Sequence, residues 1–218
     1  MSDRATARTL SNEYLERNEP TAWFDKLYEM GKAQTATIPW ADMIPNLHLV
    51  EWLDQHETRG EGRALTVGCG LGDDAEELSR RGYMVTAFDI APTAIEWCRN
   101  RFPDSDADYV VCDLFDTPAD WYMVYDLVFE AYTIQALPLD LRSRCIRSLA
   151  NLVSPGGELL IITRGRENNE PAEELPWPIS PQELSGFQDA GLKEISFEDY
   201  YDNADPPRRR FRVVYRRP

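Results

Sequence analysis

The stretch Ala64-Leu65-Thr66-Val67-Gly68-Cys69-Gly70-Leu71-Gly72-Asp73-Asp74 constrains the fold more than any other part of the chain. Ala64, Leu65 and Val67 make a short apolar run that reads as a buried strand, and three glycines at alternate positions then turn the chain. Residues 73–81 place Ala75 and Leu78 on one face and stop at Gly82, which reads as a helix. Strand, glycine turn and helix open the nucleotide site of an open α/β sheet, because glycines let a ligand approach the backbone closely.

The spacing narrows the ligand. A dinucleotide fingerprint needs a glycine three residues after its second one, and that position is Asp73, followed by Asp74. Two carboxylates in the first helical turn suit the positive end of the helix dipole and stand where a pyrophosphate would sit. They disfavour a diphosphate, and with it a nicotinamide-dependent oxidoreductase; a cationic cofactor is compatible.

Downstream residues extend the pattern. A second strand over 83–88 ends in Asp89, 21 residues after Gly68, the offset at which such a site places a carboxylate for ribose hydroxyls. Pro92 opens a helix. A third strand over 109–112 ends in Asp113, which can accept from an adenine amino group while Leu114 offers its backbone N–H; a helix cap or turn is the alternative role for Asp113. A fourth strand, Asp126-Leu127-Val128-Phe129, runs into Glu130-Ala131-Tyr132, residues that should border the reacting group. A helix over 139–153 and a Pro155-Gly156-Gly157 turn lead to a fifth strand over 159–163. The acidic, proline-rich loop 165–178 reads as a solvated connection, with a gating loop as the alternative. Ser180-Pro181-Gln182-Glu183 carries the signature of a helix start. Residues 195–200 and 211–215 close the chain as an antiparallel hairpin, and the six arginines between Arg208 and Arg217 read as its solvated face, with an anchor for an acidic partner as the other reading.

Ahead of the sheet, residues 1–60 read as a helical cap and 61–218 as the core of one structural domain. Trp23, Tyr28 and Trp40 are either core packing of that cap or part of a lid over the site, where flat rings would shield a cation.

Composition excludes several classes. With 38 acidic and 23 basic residues the chain carries −15, which argues against nucleic acid and anionic membrane as partners. No apolar run approaches a membrane span and no signal peptide is visible. The four cysteines, Cys69, Cys98, Cys112 and Cys145, are scattered without a C-x-x-C, and His48 and His56 have no ligand partners at metal spacing. The expectation is a soluble, cytoplasmic protein, monomer or homodimer, without a metal.

The ladder of Gly68-Cys69-Gly70-Leu71-Gly72, Asp89, Asp113-Leu114, the strand Tyr125-Asp126-Leu127-Val128 and Ser154-Pro155-Gly156-Gly157 resembles the class I S-adenosylmethionine-dependent methyltransferases over nearly the whole chain. The resemblance implies a Rossmann-like, seven-stranded, mostly parallel sheet with a C-terminal antiparallel hairpin and helices on both faces. It implies S-adenosylmethionine as cofactor, S-adenosylhomocysteine as product, a small-molecule acceptor, and a cofactor set of Trp23, Trp40, Gly68, Cys69, Gly70, Gly72, Asp73, Asp89, Ile90, Asp113, Leu114 and Glu130. A narrower similarity, to the branch of thiopurine, halide/thiol and tellurite-resistance methyltransferases, lies in Trp23-Phe24-Asp25-Lys26, Gly31, Thr37-Ile38-Pro39-Trp40, Cys112-Asp113-Leu114-Phe115-Asp116-Thr117-Pro118, Glu130, Ala136-Leu137-Pro138 and Arg142.

The chain departs from these patterns at two positions. Thr66 replaces the usual acid before the turn, so the contact toward the methionine amino group is missing or passes to Asp73. Ala131 replaces the arginine of thiopurine enzymes. No Asn/Asp-Pro-Pro-Tyr or Pro-Cys sequence suits DNA methylation. Glu130 and Tyr132 are the candidate catalytic groups. With no histidine on a loop after the first five strands, the expected acceptor is a small soft nucleophile: a thiol, a chalcogen oxyanion or a halide. An oxygen or nitrogen acceptor, and a cofactor-binding protein without turnover, are the alternatives.

Overall fold

A computed structural model describes residues 4–56 and 62–218. Seven strands form one sheet: β1 (Arg63–Val67), β2 (Met84–Asp89), β3 (Asp108–Val111), β4 (Tyr125–Ala131), β5 (Val153–Arg164), β6 (Lys193–Tyr201) and β7 (Arg209–Arg216). Their order is β3-β2-β1-β4-β5-β7-β6, parallel through β5 and antiparallel for the last two pairings. This is the expected sheet.

Alternation along the strands builds two cores. Leu65, Val67, Val128, Leu159, Ile161, Phe211, Val213 and Tyr215 face one side, where α6 (Arg142–Ala150), α7 (Pro181–Leu184) and α8 (Gly186–Asp189) bring Cys145, Ile146, Leu149, Leu184 and Phe187. Ala64, Leu127, Phe129, Leu160, Ile162 and Val214 face the other, covered by α3 (Leu47–Gln55), α4 (Asp73–Arg80) and α5 (Pro92–Arg101). Strands buried on both faces read as continuous apolar runs, which is why β1, β4 and β5 stand out in the sequence.

A third cluster joins α1 (Ala5–Glu16) and α2 (Trp23–Lys32) to the loops at the carboxyl ends of β1 and β2, through Ala7, Trp23, Leu27, Tyr28, Ile38, Leu71, Ala91 and Ala94. The cap is therefore smaller than the expected 1–60. Leu49, Trp52 and Leu53 of α3 are buried on the sheet, so this helix belongs to the core sandwich.

Three local readings differ from the structure. The helix expected over 139–153 is a 3-10 turn followed by α6, which stops at Ala150, and β5 begins at Val153. Pro155-Gly156-Gly157 lies inside β5 as an irregularity, held by Gly156 N donating to Arg217 O (2.9 Å) and Arg217 N donating to Gly157 O (3.0 Å). The 165–178 loop is not simply solvated: Leu175 is buried in the cap cluster, its carbonyl accepts from Arg8 Nε (2.7 Å), and Trp177 N donates to Gln135 O (2.8 Å). The capping box at Ser180 and Glu183 is present as expected. Among the described residues no helix is long and apolar enough to cross a membrane.

Candidate active site

At the carboxyl ends of the parallel strands, under the cap, lies a cavity of about 600 Å³. Trp23, Trp40, Gly68, Cys69, Gly70, Asp73, Asp89, Ile90, Asp113, Leu114 and Tyr132 all line it. Such a crevice is where ligands bind in open α/β sheets.

The glycine turn shapes one wall. Gly70 sits at φ +57°, and a Cβ there would come within 3.3 Å of Tyr28 Oη, so the turn and the cap meet at this point. The Gly70 N–H donates to Asp89 Oδ2 (3.0 Å) and Ala91 N–H donates to Asp89 Oδ1 (2.9 Å). Burial pushes the Asp89 carboxyl up to about 6, even though these backbone donors favour its charged form. Each oxygen keeps a further lone pair for a ligand hydroxyl. Asp113 Oδ1 accepts from Phe115 N (2.8 Å), shaping the turn that presents Leu114. The role of Asp113 as a turn former is thus realised along with its position on the cavity wall.

In the cap, Trp40 Nε1 donates to Tyr28 Oη (2.8 Å), and Trp23 Nε1 donates to Pro20 O (3.1 Å) while its ring stacks on Phe24 at 4.0 Å. The same rings pack the cap and line the cavity.

Three expected site residues are placed differently from the rest. Gly72 does not border the cavity. At φ +91°, a Cβ there would lie 2.7 Å from Tyr109 Oη, so glycine is needed for helix-to-strand packing. Gly72→Ala should cost about 1–3 kcal/mol of stability. A lower denaturation midpoint with ligand affinity little changed is the expected pair of results; full stability with lost affinity would return Gly72 to the site.

Asp73 borders the cavity but gives both oxygens to Arg101 (2.7 and 2.8 Å). Asp74 also lines the cavity; its Oδ1 accepts from Asn46 N (2.6 Å), and burial raises its carboxyl to about 7. Glu130 is wholly buried and lies off the cavity wall; its Oε1 accepts from Thr133 N (2.5 Å) and Ile134 N (3.1 Å). Burial raises this carboxyl to about 7, with the two backbone donors opposing. Through Oε1, Glu130 holds the turn after β4, while its Oε2 is buried with no hydrogen-bond partner among the described residues. Tyr132 within that turn adopts φ +69°, a conformation that costs a tyrosine about 1–3 kcal/mol and places its ring in the cavity.

The cavity wall also includes residues that the sequence did not assign to the site: Asp74, His48, Gln135, and the arginines Arg4, Arg164, Arg208 and Arg210. Burial lowers the His48 pKa from its ordinary value, with Glu51 opposing and Arg210 and Arg212 reinforcing. His48 precedes the sheet in the chain, so no local pattern points to it. The expected solvated face of β7 is also corrected. β7 lies between β5 and β6, and Arg210 and Arg212 are 7% and 4% exposed.

The comparisons agree with this geometry. Residues 64–157 match the family model described as a methyltransferase domain. The chain superposes on the N-methyltransferase NodS from Bradyrhizobium japonicum, solved with S-adenosylhomocysteine, with a TM-score of 0.69 at 18% identity over 89% of this chain and 99% of that one. The fold is a methyltransferase fold. A structure from echinomycin biosynthesis, solved for conversion of a disulfide bond into a thioacetal group, matches this methyltransferase fold with a TM-score of 0.73 and 22% identity over 90% and 92% of the two chains. Among curated proteins, 2-heptyl-1-hydroxyquinolin-4(1H)-one methyltransferase from Mycobacteroides abscessus is 24% identical over 67% of this chain and 64% of its own length. The chain thus spans less than two thirds of the curated relatives it matches first.

Proposed function

We propose that this chain is an S-adenosylmethionine-dependent methyltransferase acting on a small molecule. The observation that carries the reading is the convergence of the glycine turn, the Asp89 carboxylate and the Asp113–Leu114 turn on one cavity at the carboxyl ends of parallel strands. These residues fit the cofactor: Asp89 would hold the ribose hydroxyls, Asp113 and the Leu114 N–H the adenine, and Asp74 the ammonium group. Trp23, Phe24 and Trp40 would lie over it, making the cap a lid. The cofactor supplies, when bound, a methyl group on a sulfonium. The chain's own work is to align the acceptor within about 3–3.5 Å of that methyl and to exclude water. The motifs at residues 23–40 and 112–118 support placing it in the thiopurine, halide/thiol and tellurite-resistance branch.

Two readings of the acceptor atom are distinct. A soft nucleophile ionises unaided and needs no base from the protein. His48 favours the second. It lines the cavity, and its Nδ1 is buried with no hydrogen-bond partner among the described residues. A histidine of lowered pKa is neutral near pH 7 and can take a proton from a phenol or amine.

Acceptor screening by S-adenosylhomocysteine release, followed by single-turnover rates against pH, separates them. With a thiol, the rate rises with pH through the acceptor's own pKa, about 8.5, and follows it when the thiol is changed. With His48 as base, the rate rises through a fixed midpoint below about 6.5 and then levels, and His48→Gln abolishes it. Cofactor binding without release for any acceptor would leave a binding protein; no cofactor binding at all would defeat the proposal.

A further inference from the structure

The cavity has a second, oppositely charged end. Arg164, at the end of β5, is the register partner of Arg210 on β7, so the two side chains stand on one face of the pair. Arg208 directly precedes β7, and Arg4 stands at the start of α1. All four line the cavity. Arg210 Nε donates to Asp202 Oδ2 (2.8 Å), and its guanidinium lies 4.9 Å from the Tyr132 ring centroid. Arg164 Nη2 is buried and has no hydrogen-bond partner among the described residues. Burial, with Arg4, Arg210 and Arg208 adding to it, lowers the Arg164 pKa to about 10.

Such a group is costly in a protein without a counter-ion. A buried guanidinium donor left unpaired loses its hydration, and nearby like charges add repulsion. Asp202 is spoken for by Arg210 and by the Arg208 and Ala204 N–H groups (2.9 and 3.1 Å). The cluster is also out of place globally, since the chain as a whole carries −15. Sheet order separates it from the glycine turn: β5 lies two strands from β1 and β7 three, roughly 10 and 14 Å at ordinary strand spacing. Tyr132 and Gln135 stand between.

We propose that this arginine end is an anion subsite that holds an oxyanion, carboxylate or phosphate, of the methyl acceptor. The planar fork of Arg164 suits either group, and Arg208 adds a second charge from the segment that leads into β7. The word acceptor rests on the methyltransferase reading above; the anion subsite does not.

The test is calorimetric titration of the protein loaded with S-adenosylhomocysteine, using benzoate, phenyl phosphate and neutral benzamide as probes. At least one anion should bind tenfold or more tightly than benzamide. Arg164→Gln and Arg208→Gln, each checked for folding by circular dichroism, should weaken that anion about tenfold to a hundredfold, the range for losing hydrogen bonds to a charged group. Benzamide binding should be unchanged. Preference between benzoate and phenyl phosphate identifies the acid. Equal affinity for benzamide and both anions would overturn the inference, as would anion binding that survives both substitutions. Anion binding seen only without S-adenosylhomocysteine would also overturn it, because the arginines would then serve the cofactor's own carboxylate. A failure of S-adenosylhomocysteine itself to bind would sink the methyltransferase reading, while the same titrations on the unloaded protein would still decide the subsite.

Discussion

Arg142→Ala should lower the stability of the protein by about 3–5 kcal/mol, because it removes one partner of a buried ion pair. Arg142 is 3% exposed at the start of α6. Its Nη1 pairs with Glu183 and donates to Pro178 O (3.3 Å), and its Nη2 donates to Trp177 O (2.5 Å). Glu183 is at once the capping-box acid of α7 and a partner of Arg166 (2.6 Å). One guanidinium thus ties α6, α7 and the end of the 165–178 loop together. At about 2–4 °C per kcal/mol for a chain of this size, Tm should fall by roughly 6–20 °C. The Glu183→Gln variant should also be destabilised, and the double variant should lose less than the sum, since both single changes break the same pairing. Additive losses would show that the two act separately.

Asp89→Ala should weaken S-adenosylmethionine binding about tenfold to a hundredfold, or roughly 1.5–3 kcal/mol, by removing a charged hydrogen-bond acceptor. Asp89→Asn separates binding from stability. The carboxyl stands at about 6 in the folded chain against an ordinary value near 3.9, so the fold binds its proton more tightly than the unfolded chain. Its contribution to stability is fully present below about pH 4 and is lost as pH rises to about 6. At pH 7 the charged group therefore opposes folding, and Asp89→Asn should leave the unliganded protein at least as stable as the wild type while still impairing binding. Calorimetry and a denaturant midpoint on the same preparation read both. Unchanged affinity in Asp89→Ala would remove Asp89 from the site.

What the sequence conveyed follows from which signals are local. The glycine turn, Asp89 at its fixed offset and Asp113 at a strand end were legible because each depends on a few neighbouring residues and a strand boundary. The sheet was legible because strands buried on two faces are apolar without interruption. The same property hid the role of Glu130: on a strand with no solvent face, alternation does not say whether a side chain meets a cavity or folds back on its own turn. Asp73 and Asp74 are adjacent and both line the cavity, and only the presence of Arg101 on a neighbouring helix shows which of them is held in an ion pair. The arginines of β7 looked solvated because they alternate with Phe211, Val213 and Tyr215 as on a half-buried strand; the place of β7 between β5 and β6 is set by long-range pairing. His48 became a site residue through the packing of α3 on the sheet, which nothing in its own neighbourhood announces.

That placement of β7 bears on synthesis. β5 is a twelve-residue strand with Leu159, Leu160, Ile161 and Ile162 fully buried, and its free edge is covered by a strand made later than β6. Until Arg209–Arg216 has left the ribosome, a nascent chain carries a long apolar edge able to pair with another copy. The glycine turn, Asp89 and Asp113 are all made before that moment, but Arg208 and Arg210 are not. The half of the cavity that would recognise a substrate is therefore closed in the same step that seals the sheet, so a chain that can select its acceptor is also one that has finished protecting itself from aggregation.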